Sequence, residues 1–434
     1  MNPVIAGIIG VVALVAIMLV GMPVGFAMAF VGLVGYALLV SPDVGLSRLA
    51  LDFFEQFSSY SLTVIPMFML MGSLAYTTGM SRRLYDASHK LFGQVRGGLV
   101  MATIAGCAGF AAICGSTTAT AAAMGRVSLP EMKRYGCDDS LATGSVAAAG
   151  SLGILIPPST IFIVYGILTE QSIGKLFMAG VFPGLLLAVL FITVVFLLCW
   201  RNPSLAPAGK PTTWREKIAG LGSTTEMLIL FALVMGGLFL GWFDPTKAGA
   251  VGAAGALLIG LSRRQITWEG FRFAVTDALK VTCQVIVIIT GAVLFGHFIA
   301  VTRIPFMLAE WVGGLPLPTT AIMAIIILMY LLGGFFMDAL ALITLTIPII
   351  YPLVMTLGFD PIWFGVIIVL VTEMGVITPP VGINVYVIKG IAKDVPLETI
   401  FKGIFPFLGA LIIAVAILIA WPKIATFLPG LAGP

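Results

Sequence analysis

Polar and apolar residues fall along this chain in blocks rather than in the short periods of a soluble core. Runs with almost no charge occupy residues 4–21, 24–40, 61–79, 140–168, 176–200, 226–242, 248–261, 281–301, 362–388 and 403–421. Blocks of about 20 such residues have the length of a bilayer-crossing helix. Two further apolar segments, 98–125 and 320–347, are expected to form re-entrant hairpins. Amphipathic stretches at 43–58 and 262–280 precede spans and read as horizontal arms on opposite faces of the membrane. The first run, MNPVIAGIIGVVALVAIMLV, has no basic leader and no small-residue cleavage signal, so a retained span is expected.

Composition narrows the class further. Of 434 residues, 60% are apolar and 10% charged, against about 25% charged in an average soluble domain. So few charges cannot cover a water-facing surface, which excludes a soluble enzyme, a nucleic-acid binder and a disordered chain. The expected fold is an all-α polytopic membrane protein. Its five cysteines, Cys107, Cys114, Cys137, Cys199 and Cys283, form no CxxC pair and read as small buried residues. His89 and His297 are the only histidines, too few for a histidine metal centre or a catalytic triad. Met67, Met69 and Met71 read as core or lipid-facing filler.

The net charge of +4 comes from bunched cations. Arg82, Arg83, Lys90 and Arg96 lie in 81–97, and Arg126, Lys133 and Arg134 in 126–139. Arg201, Lys210, Arg215 and Lys217 lie in 201–217, Arg263, Arg264, Arg272 and Lys280 in 262–280, and Lys389, Lys393 and Lys402 in 389–402. By the positive-inside rule these five loops are cytoplasmic, which places both termini in the periplasm. Segment 98–125 then has a cytoplasmic loop on each side. It is too short for two spans of about 20 residues, and one span would put Arg126 outside. Two arms of about 14 residues, each roughly 20 Å long, satisfy both limits.

A shift of 222 residues superposes Pro130 on Pro352, Gly136 on Gly358, Asp138 on Asp360, Gly153 on Gly375, and Pro157-Pro158 on Pro379-Pro380. Gly180-Val-Phe-Pro183 matches Gly403-Ile-Phe-Pro406 one residue later. Basic loop 126–139 is paired with 348–361, which has no lysine or arginine. The repeat is therefore read as inverted, the architecture of secondary transporters with a site at the repeat interface.

Two kinds of interruption fall in register within the repeats. Hairpin tips lie near Gly115-Ser116-Thr117-Thr118 and Gly333-Gly334-Phe-Phe-Met-Asp338, and helix breaks lie near Gly153–Pro158 and Gly375–Pro380. Prolines remove donors and free upstream carbonyls, hard ligands for a small cation, while half-helix N-termini attract anions. Asp338 and Glu373 are the carboxylates deep in these elements, and their repeat counterparts are Ser116 and Ser151. Membrane-embedded carboxylates are costly and usually functional.

The stretches Cys114-GSTTATAAAMG-125, Gly153-ILIPPS-159, Gly334-FFMDALA-341 and Glu373-MGVITPPVGIN-384 resemble the large membrane subunit of tripartite ATP-independent periplasmic (TRAP) transporters, over nearly the whole chain. The resemblance implies an elevator-type sodium symporter of the ion transporter superfamily in the bacterial inner membrane. Its substrate would be a small organic anion, a carboxylate such as a C4-dicarboxylate or sialic acid. It also implies a periplasmic substrate-binding protein and a separate small four-span subunit. Residues 1–60 and 201–280 would supply scaffold helices, arms and the cytoplasmic loop, and 61–200 and 281–434 the transport elements. Sodium would be held around Gly115, Ser116, Ser151, Ile156, Pro157, Gly334, Asp338, Glu373, Gly375, Thr378 and Pro379. Substrate would meet Ser116, Thr117, Thr118, Pro158 and Pro380. Sodium is the coupling ion, and no other cofactor and no enzymatic activity are expected. A stand-alone sodium/carboxylate symporter is the alternative. A channel lacks a continuous polar pore here, and an intramembrane enzyme lacks a GxGD or HExxH set.

Overall fold

A computed structural model describes residues 2–209 and 212–432; Lys210, counted above among the cytoplasmic cations, lies outside them. Every regular element among the described residues is helical. Helices α1 (Pro3–Leu19), α2 (Val24–Leu39) and α3 (Pro42–Ser58) are followed by a 3-10 turn over Tyr60–Thr63 and then α4 (Val64–Thr77) and α5 (Met80–Phe92). The first hairpin is α6 (Gly98–Cys114) and α7 (Thr117–Arg134). The first broken span is α8 (Asp139–Ala149), α9 (Leu152–Leu155) and α10 (Thr160–Thr169). There follow α11 (Ile173–Arg201), α12 (Trp214–Gly222), α13 (Thr225–Phe239), α14 (Pro245–Ser262), α15 (Trp268–Thr302) and α16 (Ile304–Gly313). The second hairpin is α17 (Thr319–Gly334) and α18 (Ala339–Thr356), and the second broken span is α19 (Pro361–Ile377) and α20 (Ile383–Ile391). Helices α21 (Leu397–Ala420) and α22 (Lys423–Leu431) complete the chain.

Six helical segments are long and apolar enough to cross a membrane, namely Tyr60–Thr77 (the 3-10 turn with α4), Asp139–Thr169 (α8 to α10), α11, α15, α18 and α21, or seven if the bent pair α12 and α13 is one span. The sequence pattern gave ten. The difference lies partly in α1, α2 and α19, which at 16 or 17 residues reach only about 25 Å.

The helix boundaries follow local chemistry. At positions 222 residues apart, Asp138 Oδ1 accepts from the backbone N–H of Leu141 at 2.9 Å and Asp360 Oδ1 from that of Trp363 at 2.8 Å. Each carboxylate satisfies an orphan donor in the first turn of α8 or α19. Pro130 and Pro352 lie inside α7 and α18, and Pro183 and Pro406 inside α11 and α21.

Two expectations are corrected. The stretch 262–280 is not a separate arm in front of a span: from Trp268 it runs unbroken into α15, 35 residues long. The amphipathic pattern there marks a change of surroundings, with no interruption of the helix. Its counterpart α3 does end, because Ser58 Oγ turns back on the Phe54 carbonyl at 2.6 Å and Thr63 Oγ1 on that of Tyr60 at 2.6 Å. Pro66 also lacks the donor that would bond back across this turn. The hairpins are likewise longer than their apolar segments. Helix α7 continues through basic residues to Arg134, and α18 through Pro348 and Pro352 to Thr356. Helices α5, α12, α16 and α22 lie where no span is expected, α5 as a strongly amphipathic element with Arg82, Arg83 and Lys90. Four cysteines are buried as expected, and Cys283 is exposed.

The large apolar core runs through α4, both hairpins, both broken spans and α21, while a smaller cluster joins α1, α2 and α15 around Leu14, Met28, Phe295 and Phe298. Close packing inside the large core depends on missing side chains. A Cβ built on Gly403 of α21 would lie 1.9 Å from the Ser140 carbonyl oxygen of α8. Only glycine admits that backbone approach. This contact seats α8, and with it the first break, against α21.

Candidate functional site

The first tip is made by two residues. Gly115 ends α6 with φ +67°, a left-handed conformation in which a Cβ is strained. Ser116 caps α7, its Oγ accepting from the Ala119 N–H at 3.4 Å and lying 3.3 Å from Thr118 Oγ1. At the second tip, Asp338 caps α18 in the same way, with Oδ1 accepting from the Ala341 N–H at 3.1 Å. Ser116 and Asp338 thus perform the same backbone task 222 residues apart, one neutral and one acidic.

Each tip docks on a break-bearing segment. The Gly115 carbonyl accepts from the Thr160 N–H at 3.3 Å and from Thr160 Oγ1 at 2.9 Å, tying tip one to α10. Gly334 packs on Gly375 of α19: a Cβ on Gly375 would lie 2.5 Å from the Gly334 carbonyl carbon. The two proline pairs, both cis, differ in surroundings, since Pro157 and Pro158 are buried and Pro379 and Pro380 exposed.

Between the tips lies a cleft of about 370 Å³. Gly115, Ser116, Thr117, Thr118, Asp338 and Glu373 all line it, together with Thr160 and Gln284. The N-termini of α7 and α18 both contribute to its wall, through Thr117 and Thr118 and through Ala339 and Leu340. Unsatisfied backbone N–H groups therefore bring positive dipole ends to the cleft from both halves.

Glu373 is 1% exposed. Its Oε2 accepts from Thr117 Oγ1 at 3.1 Å, so a carboxylate of the second half is held by a hydroxyl of the first. Thr117 Oγ1 in turn accepts from Asn384 Nδ2 at 2.9 Å, and the same amide donates to the Ala147 carbonyl at 3.1 Å. Three buried oxygens close to this network, Glu373 Oε1, Asn384 Oδ1 and Thr120 Oγ1, have no hydrogen-bond partner among the described residues. Buried polar atoms are rarely left so, and each costs on the order of 1–3 kcal/mol unless something fills it.

The remaining expected residues stand off this cleft. Ser151 donates to the Ala148 carbonyl at 2.6 Å. Thr378 donates to the Met374 carbonyl at 2.5 Å. Ile156, Pro157, Pro158, Pro379 and Pro380 do not line it, and Gly334 and Gly375, which pack on each other, do not line it either. Asn384, Thr160 and Gln284 are not among the residues singled out from sequence, whereas Thr120 belongs there with the hydroxyls of the first tip. Asn384 and Gln284 carry a signal, each being the one amide side chain of its helix.

With this geometry in view, comparison with known proteins is decisive for the family. The family model described as the tripartite ATP-independent periplasmic transporter, DctM component, matches residues 11–424. The C4-dicarboxylate TRAP transporter large permease protein DctM of Pseudomonas aeruginosa is 37% identical over 91% of this chain and 92% of its own length. The sialic acid TRAP transporter large permease protein SiaM of Vibrio cholerae is 30% identical, covering 95% of each. Among solved structures, the YdaH transporter of Alcanivorax borkumensis superposes with a TM-score of 0.65 at 14% identity, covering 89% of this chain and 90% of that one, a likeness of fold.

Proposed function

We propose, given that the chain belongs to the DctM component family of the tripartite ATP-independent periplasmic transporters, that it carries a small organic anion inward in symport with sodium by an elevator movement. As a TRAP large permease it is a multi-pass protein of the bacterial inner membrane. Family membership implies a periplasmic binding protein and a small membrane subunit beside it. In the proposed reading the binding protein delivers the anion, and the small subunit is a separate four-span chain.

The observation that carries the reading is the buried Glu373 with Oε1 unpartnered, beside the hydroxyl-lined tip and two helix N-termini. A carboxylate and hydroxyl oxygens are hard ligands suited to sodium, and N-terminal dipoles with hydroxyls suit an anion. We place a cation at Glu373, with Asp338 and the tip and break carbonyls as further ligand candidates, and the anion at Ser116, Thr117 and Thr118. The substrate class rests on relatives whose names include a C4-dicarboxylate and a sialic acid permease.

The test is uptake into proteoliposomes holding both membrane subunits, with binding protein outside and radiolabelled succinate or N-acetylneuraminate as probe. An inward sodium gradient should drive accumulation without ATP. Uptake at full rate in potassium-only buffer, with no proton gradient, would end the sodium reading.

A further inference from the structure

A second cleft, of about 380 Å³, lies against the first and shares Met69, Ser116, Thr118 and Val281 with it. Its wall is mostly apolar, but two charged residues from different helices line it: Arg126 of α7 and Asp277 of α15. Arg126 shares its helix face with Thr118 and Ala122, at a spacing of four residues. It therefore stands about 12 Å along the helix from Thr118, toward the end that the basic-residue pattern assigns to the cytoplasm. Its partner is neutral: one guanidinium N–H donates to Tyr76 Oη at 2.8 Å. No carboxylate lies within 4 Å of it among the described residues. A guanidinium has five donors in a planar fork matched to carboxylate oxygens. Asp277 is occupied by Ser73 Oγ at 2.6 Å.

From this placement we propose that Arg126 is a second anion station, which takes the carboxylate of the transported anion on the cytoplasmic side of the first tip. The inference rests on the transporter reading and adds to it a residue outside both tips and both breaks. The shared wall means that the Ser116 and Thr118 hydroxyls lining the first cleft also line the second, so the second cleft is the next space an anion leaving them meets on the Arg126 side. Arg126 is the one cation lining that cleft. Asp277 in the same wall repels the anion and limits how tightly it is held, as release requires.

The test compares wild type, Arg126→Gln and Arg126→Lys in right-side-out proteoliposomes of the two-subunit complex, with succinate and N-acetylneuraminate as probes. Two quantities are read: the internal anion concentration that half-saturates exchange, and the external concentration of loaded binding protein that half-saturates uptake. Arg126→Gln should raise the internal value about tenfold, equivalent to ~1.4 kcal/mol, and leave the external value within about twofold. Arg126→Lys keeps the charge but loses the fork, so a smaller internal rise is expected. An unchanged internal value in Arg126→Gln overturns the inference, and so does an equal shift on both faces, which assigns Arg126 to the fold. Should Arg126→Gln not assemble, Arg126→Lys decides, and an internal value equal to wild type overturns the inference. Wild type moving neither probe sinks the transporter reading itself, whereas wild-type transport with flat variants sinks only the station.

Discussion

Replacing Glu373 by glutamine removes one charge and keeps the shape. The site gives the magnitude. One carboxylate oxygen accepts from Thr117 at 3.1 Å, and the other is buried and unpartnered. A sodium ion within 4 Å of the carboxylate would gain about 4 kcal/mol at an effective dielectric near 20. Part of that gain is offset by the cost of keeping a charge out of water. A net loss of roughly 1.4–4 kcal/mol in Glu373→Gln corresponds to a rise of about 10- to 1,000-fold in the half-saturating sodium concentration. Folding should survive, since a glutamine carbonyl still accepts from Thr117 and leaves the Asn384–Thr117 bond in place. The assay is initial uptake rate against sodium concentration in the reconstituted complex, with surface amount and thermal stability as controls. An unchanged sodium dependence at normal uptake would refute the reasoning and leave Glu373 as a hydrogen-bond acceptor between the two halves.

Further outcomes follow from particular contacts. Gly403→Ala forces a Cβ to 1.9 Å from the Ser140 carbonyl oxygen and should cost about 1–3 kcal/mol or more, seen as a lower melting temperature in detergent. Gly409→Ala on the same helix meets open space and should be neutral or stabilising. Asp338→Asn should retain normal assembly because asparagine also caps, whereas Asp338→Ala should lose about 1 kcal/mol; equal stability of the two would remove the cap from the account. Asn384→Ala breaks bonds to Thr117 and Ala147, and its stability loss should be non-additive with that of Thr117→Val; strict additivity would mean the pair is not coupled. In a cysteine-free background, Asp86→Cys and Arg134→Cys, both at exposed positions, should label from the cytoplasmic side, and opposite-side labelling would remove the re-entrant hairpin.

The interruptions were legible because they are local. Gly115-Ser116 and the two Pro-Pro pairs stop an apolar run at points that the chain itself marks, and the structure places tips and breaks there. Polarity misled wherever it was read as an end of structure. Residues 126–134 are charged yet helical, since a helix leaving an apolar environment has no reason to unwind. Around the expected junction, from Phe271 to Val281, the chain has no proline, glycine or serine, so nothing stops α15 there. Pairings were the least legible. Thr117 meets Glu373 from 256 residues away and Asn384 from 267, and no local pattern announces which distant hydroxyl will face a buried carboxylate.

The two halves share backbone devices and differ in the side chains that exploit them. Ser116 and Asp338 both close the first turn of a hairpin helix, so the cap is what they share and the charge is the difference. Ser151 and Glu373 diverge further. The serine hydroxyl returns to its own helix at Ala148, while the longer glutamate crosses to the opposite tip at Thr117. The first half therefore supplies hydroxyls and a fully buried break, and the second supplies both carboxylates and an exposed break. On the proposed reading this division gives a physical route for coupling. Thr117 directs its proton to Glu373 and adjoins the Ser116 and Thr118 hydroxyls. A cation drawing on the Glu373 carboxylate competes with the Thr117 hydrogen bond and changes what the first tip offers an anion. Coupling of that kind requires the carboxylate and the hydroxyl to belong to different halves, so that filling one site acts on the joint between them.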